Sequence, residues 1–349
     1  MSVRSDFRSD TLTRPSAAMR EAMARADVGD DVLDGDPTVR ALEEYAADWV
    51  GKAGALFVPS GTMANQIALG AWTRPGEELV VERGAHIVNF EGGAAGYLHG
   101  LQCVTLAGAK GALQADEVRA ALRPENIHLP DTGLICVEQT HMASGGRVIS
   151  LEALSRVAEV AREAGVPVHM DGARLANAVV ASGISASEFG AQADSVSVCL
   201  SKGLGAPVGS IIAGDEAFLV RARVLRKRLG GWMRQAGIIA AAGLMALREN
   251  VERLAEDHHL AREVAACCHA HEGLWAPSDD VETNLVMVRV EHPRFDAATL
   301  VAALAAEGVK VMPLGPDVLR FVTHLDLSGA DLETLAAALA RILGEPTTC

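Results

Sequence analysis

Short apolar strands alternate with amphipathic helices through the first 250 or so residues, and this alternation constrains the fold more than any other feature. The strand-like runs are Ala55–Val58, Glu78–Val81, Gln102–Leu106, Leu134–Glu138, Val166–Met170, Ser195–Leu200 and Gly209–Ala213. Asp36-Pro37 reads as an N-cap and first-turn proline that start a helix running to Val50. Ser60-Gly61-Thr62 turns from a strand into a helix through Trp72, and Leu151–Ala164 is a further helix. Strands interleaved with helices predict an α/β fold, a mostly parallel sheet covered on both faces. From Gln235 the texture becomes one long helical stretch reaching His269, with Ala240–Ala246 built for close helix packing. Beyond it, Asn284–Val290, Ala297–Ala306, Val318–Thr323 and a helix from Ala330 read as a compact α+β unit. The expected organisation is an arm over 1–14, a large domain over 15–250 and a small C-terminal domain over 251–349.

Composition narrows the function. Hydrophobic residues make up 49% of the 349, ample for a core. Lys and Arg number 31 against 45 Asp and Glu, a net charge of −14, which argues against nucleic acid as a partner. No apolar run reaches the roughly 18 residues of a membrane span. The N-terminus lacks a secretory h-region, so the expected compartment is the cytoplasm. Six cysteines without a C-x-x-C read as buried thiols. The histidines show no metal-ligand spacing, and His258, His259, His269 and His271 read as solvated; no metal is expected. Gly203-Leu204-Gly205 followed by Gly209 misses the dinucleotide fingerprint, and no Walker loop, H-E-x-x-H or G-x-S-x-G is present.

Three segments each place a polar group at the carboxyl end of an apolar strand. Ser60-Gly61-Thr62 offers a helix N-terminus to an anion, although many strand–helix turns look alike. Asp171-Gly172-Ala173-Arg174 puts opposite charges in one crevice, as a structural ion pair also would. Ser201-Lys202 follows a buried strand, where a lysine is costly to bury, unless it is a surface lysine just past the strand end. Together they fit pyridoxal phosphate: phosphate at Gly61 and Thr62, Lys202 as the imine lysine, and Asp171 on the pyridine nitrogen.

The chain also resembles the L-threonine aldolase family, in the β-eliminating-lyase group of fold-type-I pyridoxal phosphate enzymes. The resemblance runs nearly end to end. It is carried by Arg8-Ser9-Asp10 through Arg14-Pro15, Gly29-Asp30-Asp31-Val32, Asp36-Pro37-Thr38-Val39, Phe57 through Asn65-Gln66, Ala85-His86-Ile87, Glu91-Gly92-Gly93-Ala94, Thr140-His141, His169 through Leu175, Ser201 through Gly209, Met233-Arg234-Gln235 and Leu319 through His324. It implies a lyase that converts L-threonine, L-allo-threonine or related β-hydroxy amino acids, aryl ones included, to glycine and an aldehyde. Another β-eliminating lyase, an aminotransferase or a silent ligand-binding homologue is the alternative. It implies Lys202, Asp171, His86 and His141 as catalytic groups, with His86 stacked on the ring and the base left open between His86, His141 and a water. Ser60, Gly61, Thr62, Ser201 and Arg174 join them around the cofactor. Ser9, Arg174, Arg320 and Phe90 are placed on the substrate, the arginines forking onto its carboxylate. Lys227 and Arg234 are expected at the phosphate of a neighbouring subunit in a homo-oligomer, dimer or tetramer, with shared sites. Leu33, Met142 and Trp232 replace the family's usual tyrosine, asparagine and glycine, which bears on the aldehyde side of the pocket.

Overall fold

The computed structural model describes residues 5–123 and 126–346. Two compact units divide the chain, one of Pro15–Val251 and one of Met1–Arg14 with Glu252–Cys349.

The first unit is built on a seven-stranded sheet in the order Gly54–Val58, Ser210–Gly214, Ser195–Cys199, Val168–Gly172, Thr132–Glu138, Glu78–Glu82, Gln102–Leu106. Only Ser210–Gly214 runs antiparallel to its two neighbours; the remaining pairs are parallel. The central strands are buried along their whole length, as a sheet covered on both faces requires. The helix Leu151–Ala164 turns Leu154, Val157, Ala158, Val160 and Ala161 inward. Pro37–Val50 starts where Asp36 Oδ1 accepts the amides of Thr38 and Val39, each at 3.0 Å. It stops at Gly51, whose φ of 66° is the left-handed C-cap. Asp36 Oδ2 also accepts Gly29 N and Gly237 N, so one cap ties three segments together. This topology brings the carboxyl ends of the Val58, Glu82, Glu138, Asp171 and Cys199 strands to one edge of the sheet, joined by the amino end of Ser210–Gly214. In open α/β sheets that edge is where ligands bind.

The second unit holds a four-stranded antiparallel sheet, Met312–Pro313, Val318–Val322, Leu285–Val290, Leu274–Trp275. Its helices are Leu254–His269, Ala297–Ala306 and Gly329–Leu343. Phe7 enters its core edge-on to Phe321, ring centroids 5.8 Å apart.

Several expectations need correction. The strand expected over Val166–Met170 is Val168–Gly172, because Val166 N closes the preceding helix on Ala161 O and Pro167 has no amide to give. The long helix from Gln235 is two, Gly237–Glu249 and Leu254–His269. Between them Asn250 sends its side-chain amide to Leu204 O at 2.8 Å instead of facing water. Close packing of the alanine-rich stretch holds, since a Cβ on Gly243 would sit 2.8 Å from Leu200. His258 and His271 are buried, not solvated; burial pushes His258 down to about 4. Cys103 is exposed while Cys136, Cys199 and Cys268 are buried, and Cys349 lies outside the described residues. No helix among the described residues is long and apolar enough to cross a membrane.

Candidate active site

Asp171 is the penultimate residue of its strand, buried. Asn65 Nδ2 donates to its Oδ2 at 2.8 Å and Ala173 N to its Oδ1 at 3.1 Å. The same Asn65 amide donates to Glu91 Oε1 at 2.8 Å, and Gln66 Nε2 donates to Glu91 Oε2 at 2.7 Å. His86 Nδ1 lies 3.3 Å from Glu91 Oε1. A ring nitrogen of His86 and carboxylate oxygens of Glu91 and Asp171 thus fall within 4.8 Å of one another. A carboxylate at Nδ1 sets the tautomer with the proton there, which leaves Nε2 as an acceptor. Phe90, exposed, tilts against the His86 ring with centroids 5.5 Å apart.

Behind Asp171, His169 bridges Ser195 Oγ at 3.0 Å and Asn65 Oδ1 at 3.2 Å. Burial holds its pKa down to about 4, so the imidazole is neutral. His141 Nδ1 lies 2.9 Å from Ser144 Oγ, and Nε2 lies 2.8 Å from Glu82 Oε2 without a hydrogen-bond partner among the described residues. Its side chain is 1% exposed, against 33% for His86. Arg174 is buried at the start of the helix Leu175–Ser182, its amide on Gln139 O at 3.2 Å.

At the next strand ends, Ser60 caps the twelve-residue helix Gly61–Trp72 by accepting Met63 N, leaving first-turn amides at Gly61 and Thr62 for an anion. A Cβ built on Gly61 would lie 3.6 Å from Ser210 Oγ. That hydroxyl is buried and has no hydrogen-bond partner among the described residues. Ser201 and Lys202 follow Cys199 in a turn, both half-buried. Lys227 and Arg234 are exposed; Arg234 Nη1 is 3.4 Å from Asp30. The basic side chain that turns inward is Arg226, on Asp31 at 3.3 Å and Glu43 at 3.2 Å. In the second unit, Arg320 is buried on the Val318–Val322 strand and donates to Arg8 O at 3.1 Å, beside Ser9.

Comparison with known proteins assigns the family. A family model described as β-eliminating lyase matches residues 6–292. The chain belongs to the β-eliminating lyase family. Within it, the low-specificity L-threonine aldolase of Escherichia coli strain K12 is 44% identical over 336 residues, 95% of this chain and 97% of its own. Low-specificity L-threonine aldolase 1 of Arabidopsis thaliana is 42% identical, covering 94% and 93%. Among solved structures, a threonine aldolase of Leishmania major superposes with a TM-score of 0.82 at 20% identity, covering 97% of this chain and all of its own. SPT, solved with PLP, gives 0.72 at 18% identity over 99% and 88%. These two share the fold, which is that of fold-type-I enzymes.

For a β-eliminating lyase, sequence reasoning overlooked Glu91, Asn65, Glu138, Ser210 and Arg226 as contributors to this edge. Glu138 carried a usable signal, a charge ending an apolar strand, the same signal that drew attention to Lys202.

Proposed function

We infer that this chain cleaves L-threonine and related L-β-hydroxy-α-amino acids to glycine and an aldehyde, with pyridoxal phosphate as cofactor. The observation that carries the reading is the buried Asp171 carboxylate grouped with His86, on a scaffold 44% identical to a low-specificity L-threonine aldolase. The residues present suit the cofactor. An unused buried hydroxyl, Ser210 Oγ, stands beside the glycine that opens a helix, as a phosphate needs. Asp171 is a buried carboxylate suited to a protonated ring nitrogen.

In this reading Lys202 supplies the amine that holds the cofactor covalently. Gly61 and Thr62, with Ser60 and Ser201 alongside, face its phosphate, and Asp171 keeps the ring nitrogen protonated. Bound there, pyridoxal phosphate supplies an electron sink conjugated with the substrate's Cα. Arg174 lies on the cofactor and substrate side, and Arg320 and Ser9 serve the substrate carboxylate. Cleavage requires the β-hydroxyl to lose its proton. Support for His86 in that role is its tautomer: Nδ1 is committed to Glu91 and Nε2 has no partner among the described residues. His141, buried and bonded through Nδ1 to Ser144, orders the loop beside it. The reading extends to a cytoplasmic homo-oligomer in which Lys227 and Arg234 reach a neighbour's phosphate; their exposure supports it.

The test is product identity. Incubation of the cofactor-loaded enzyme with L-threonine or L-phenylserine yields glycine plus acetaldehyde or benzaldehyde. An oxo acid with release or transfer of the amino group would instead assign the chain to another reaction on the same fold.

A further inference from the structure

Glu138 closes the strand beside Asp171, and the two are register partners across the sheet. Its side chain is buried, and both oxygens are spent on backbone amides outside the sheet. Oε2 accepts His86 N at 2.6 Å, and Oε1 accepts Met142 N at 2.9 Å. Each amide opens a short helical turn that lacks a side-chain cap of its own. Ala85 precedes His86–Asn89 and has no side-chain acceptor to offer, and His141, before Met142–Ser144, caps nothing with its ring. Orphan amides at helix starts need an acceptor, and one carboxylate at the end of Thr132–Glu138 serves both turns, one following a neighbouring strand and one four residues downstream of itself.

An ionised carboxylate here is held at a cost. Burial and the neighbouring Asp171 both push the Glu138 pKa up. A residue kept only to finish the strand would be cheaper as an apolar one. The arrangement joins the two segments bearing His86 and His141 to the strand pair that carries Asp171. The segment after it is pinned again where Gln139 exchanges hydrogen bonds with Ile149, each at 2.9 Å.

We propose that Glu138 is a positioning residue: its two oxygens fix the His86 and His141 segments at one spacing from Asp171, and so set how the His86 imidazole meets a bound ring. This rests on the function proposed above for its catalytic consequence, but not for the brace itself. Glu138→Ala removes both acceptors. Glu138→Gln keeps the shape yet offers one oxygen, so at least one amide faces an NH₂ group.

Hydrogen exchange read by mass spectrometry needs no cofactor. In Glu138→Ala, peptides spanning 84–90 and 140–146 exchange roughly tenfold faster or more, and in Glu138→Gln at least one of them does. With pyridoxal phosphate and L-threonine, Glu138→Gln lowers kcat about 10–100-fold with KM within about threefold, and alters the visible circular dichroism of the bound cofactor. Should the alanine variant fail to fold, the isosteric glutamine variant carries the test. Unchanged exchange in both peptides of Glu138→Gln, or equal acceleration across the whole chain, overturns the brace. Faster local exchange with unaltered kcat and dichroism overturns the positioning role. A wild-type chain that takes up no pyridoxal phosphate overturns the function proposed above instead, and exchange still decides the brace.

Discussion

A carboxylate buried at the end of a parallel strand needs donors, and Asp171 collects them from Asn65 and from the turn it begins, with Ser197 Oγ at 3.5 Å. Asn65 is the residue on which the group turns: its amide nitrogen serves Asp171 and Glu91, and its oxygen meets Ser197 and His169. Burial keeps His169 neutral, since its two partners, a hydroxyl and an amide oxygen, carry no charge to offset a lost hydration shell. Its folded pKa of about 4 lies below the ordinary 6.5. Between those values the unfolded chain binds a proton that the folded chain does not, so stability is whole above about 6.5 and falls as pH drops towards 4. His169→Asn removes this contribution, and its urea midpoint should decline less between pH 7 and 4 than that of the wild type. Parallel declines would mean that His169 takes up its proton in the fold as readily as in water.

At the scale of elements, the site depends on which loops are held and by what. Arg226, on the helix Glu216–Arg228, donates to Phe57 O at 3.0 Å, and Glu43 Oε1 accepts Phe57 N at 2.7 Å. The strand that delivers the Ser60–Thr62 turn is therefore gripped on both sides of one residue. Burial pushes Glu43 up to about 7, although the guanidinium it shares with Asp31 pulls the other way. Trp232 lies under that guanidinium, 4.8 Å from its carbon, and donates Nε1–H to Asp31 Oδ2 at 2.7 Å. Leu33, the neighbouring departure from the family pattern, is 76% exposed. Trp232 thus has a packing and hydrogen-bonding role in joining the 30s and 230s loops. Trp232→Phe keeps the aromatic face but drops the charge-assisted bond, and should cost about 1.5–3 kcal/mol in urea unfolding. A loss below about 0.5 kcal/mol would show that Asp31 is satisfied without the indole. None of this was legible in the sequence. Arg226 stands in a run of basic residues, Arg226-Lys227-Arg228, and helical phase alone did not single out the inward one.

Across the whole molecule, what periodicity and capping encode was legible and what long-range pairing creates was not. The helices Pro37–Val50, Gly61–Trp72 and Leu151–Ala164 fall where apolar spacing, the Asp36 cap and the Ser60-Gly61-Thr62 turn put them. The break at Asn250 was hidden because alanine, leucine and glutamate run on across it, and only a tertiary partner, Leu204 O, reveals the stop. Asp171 and Lys202 stood out because a charge at the end of an apolar strand is costly. Glu138 carries that same signal, whereas Glu91 does not, because its worth lies in the Asn65 and Gln66 amides that the fold brings to it. In the proposed function Lys202 holds the cofactor. The chain has five lysines, Lys52, Lys110, Lys202, Lys227 and Lys310, so the adduct can be placed without ambiguity. Reduction of the pyridoxal phosphate-loaded protein with borohydride, digestion and peptide mass mapping should put the pyridoxyl group on Lys202 and abolish the visible absorbance. A pyridoxyl group on any of the other four, or a reduced protein with Lys202 unmodified, would remove Lys202 from the cofactor.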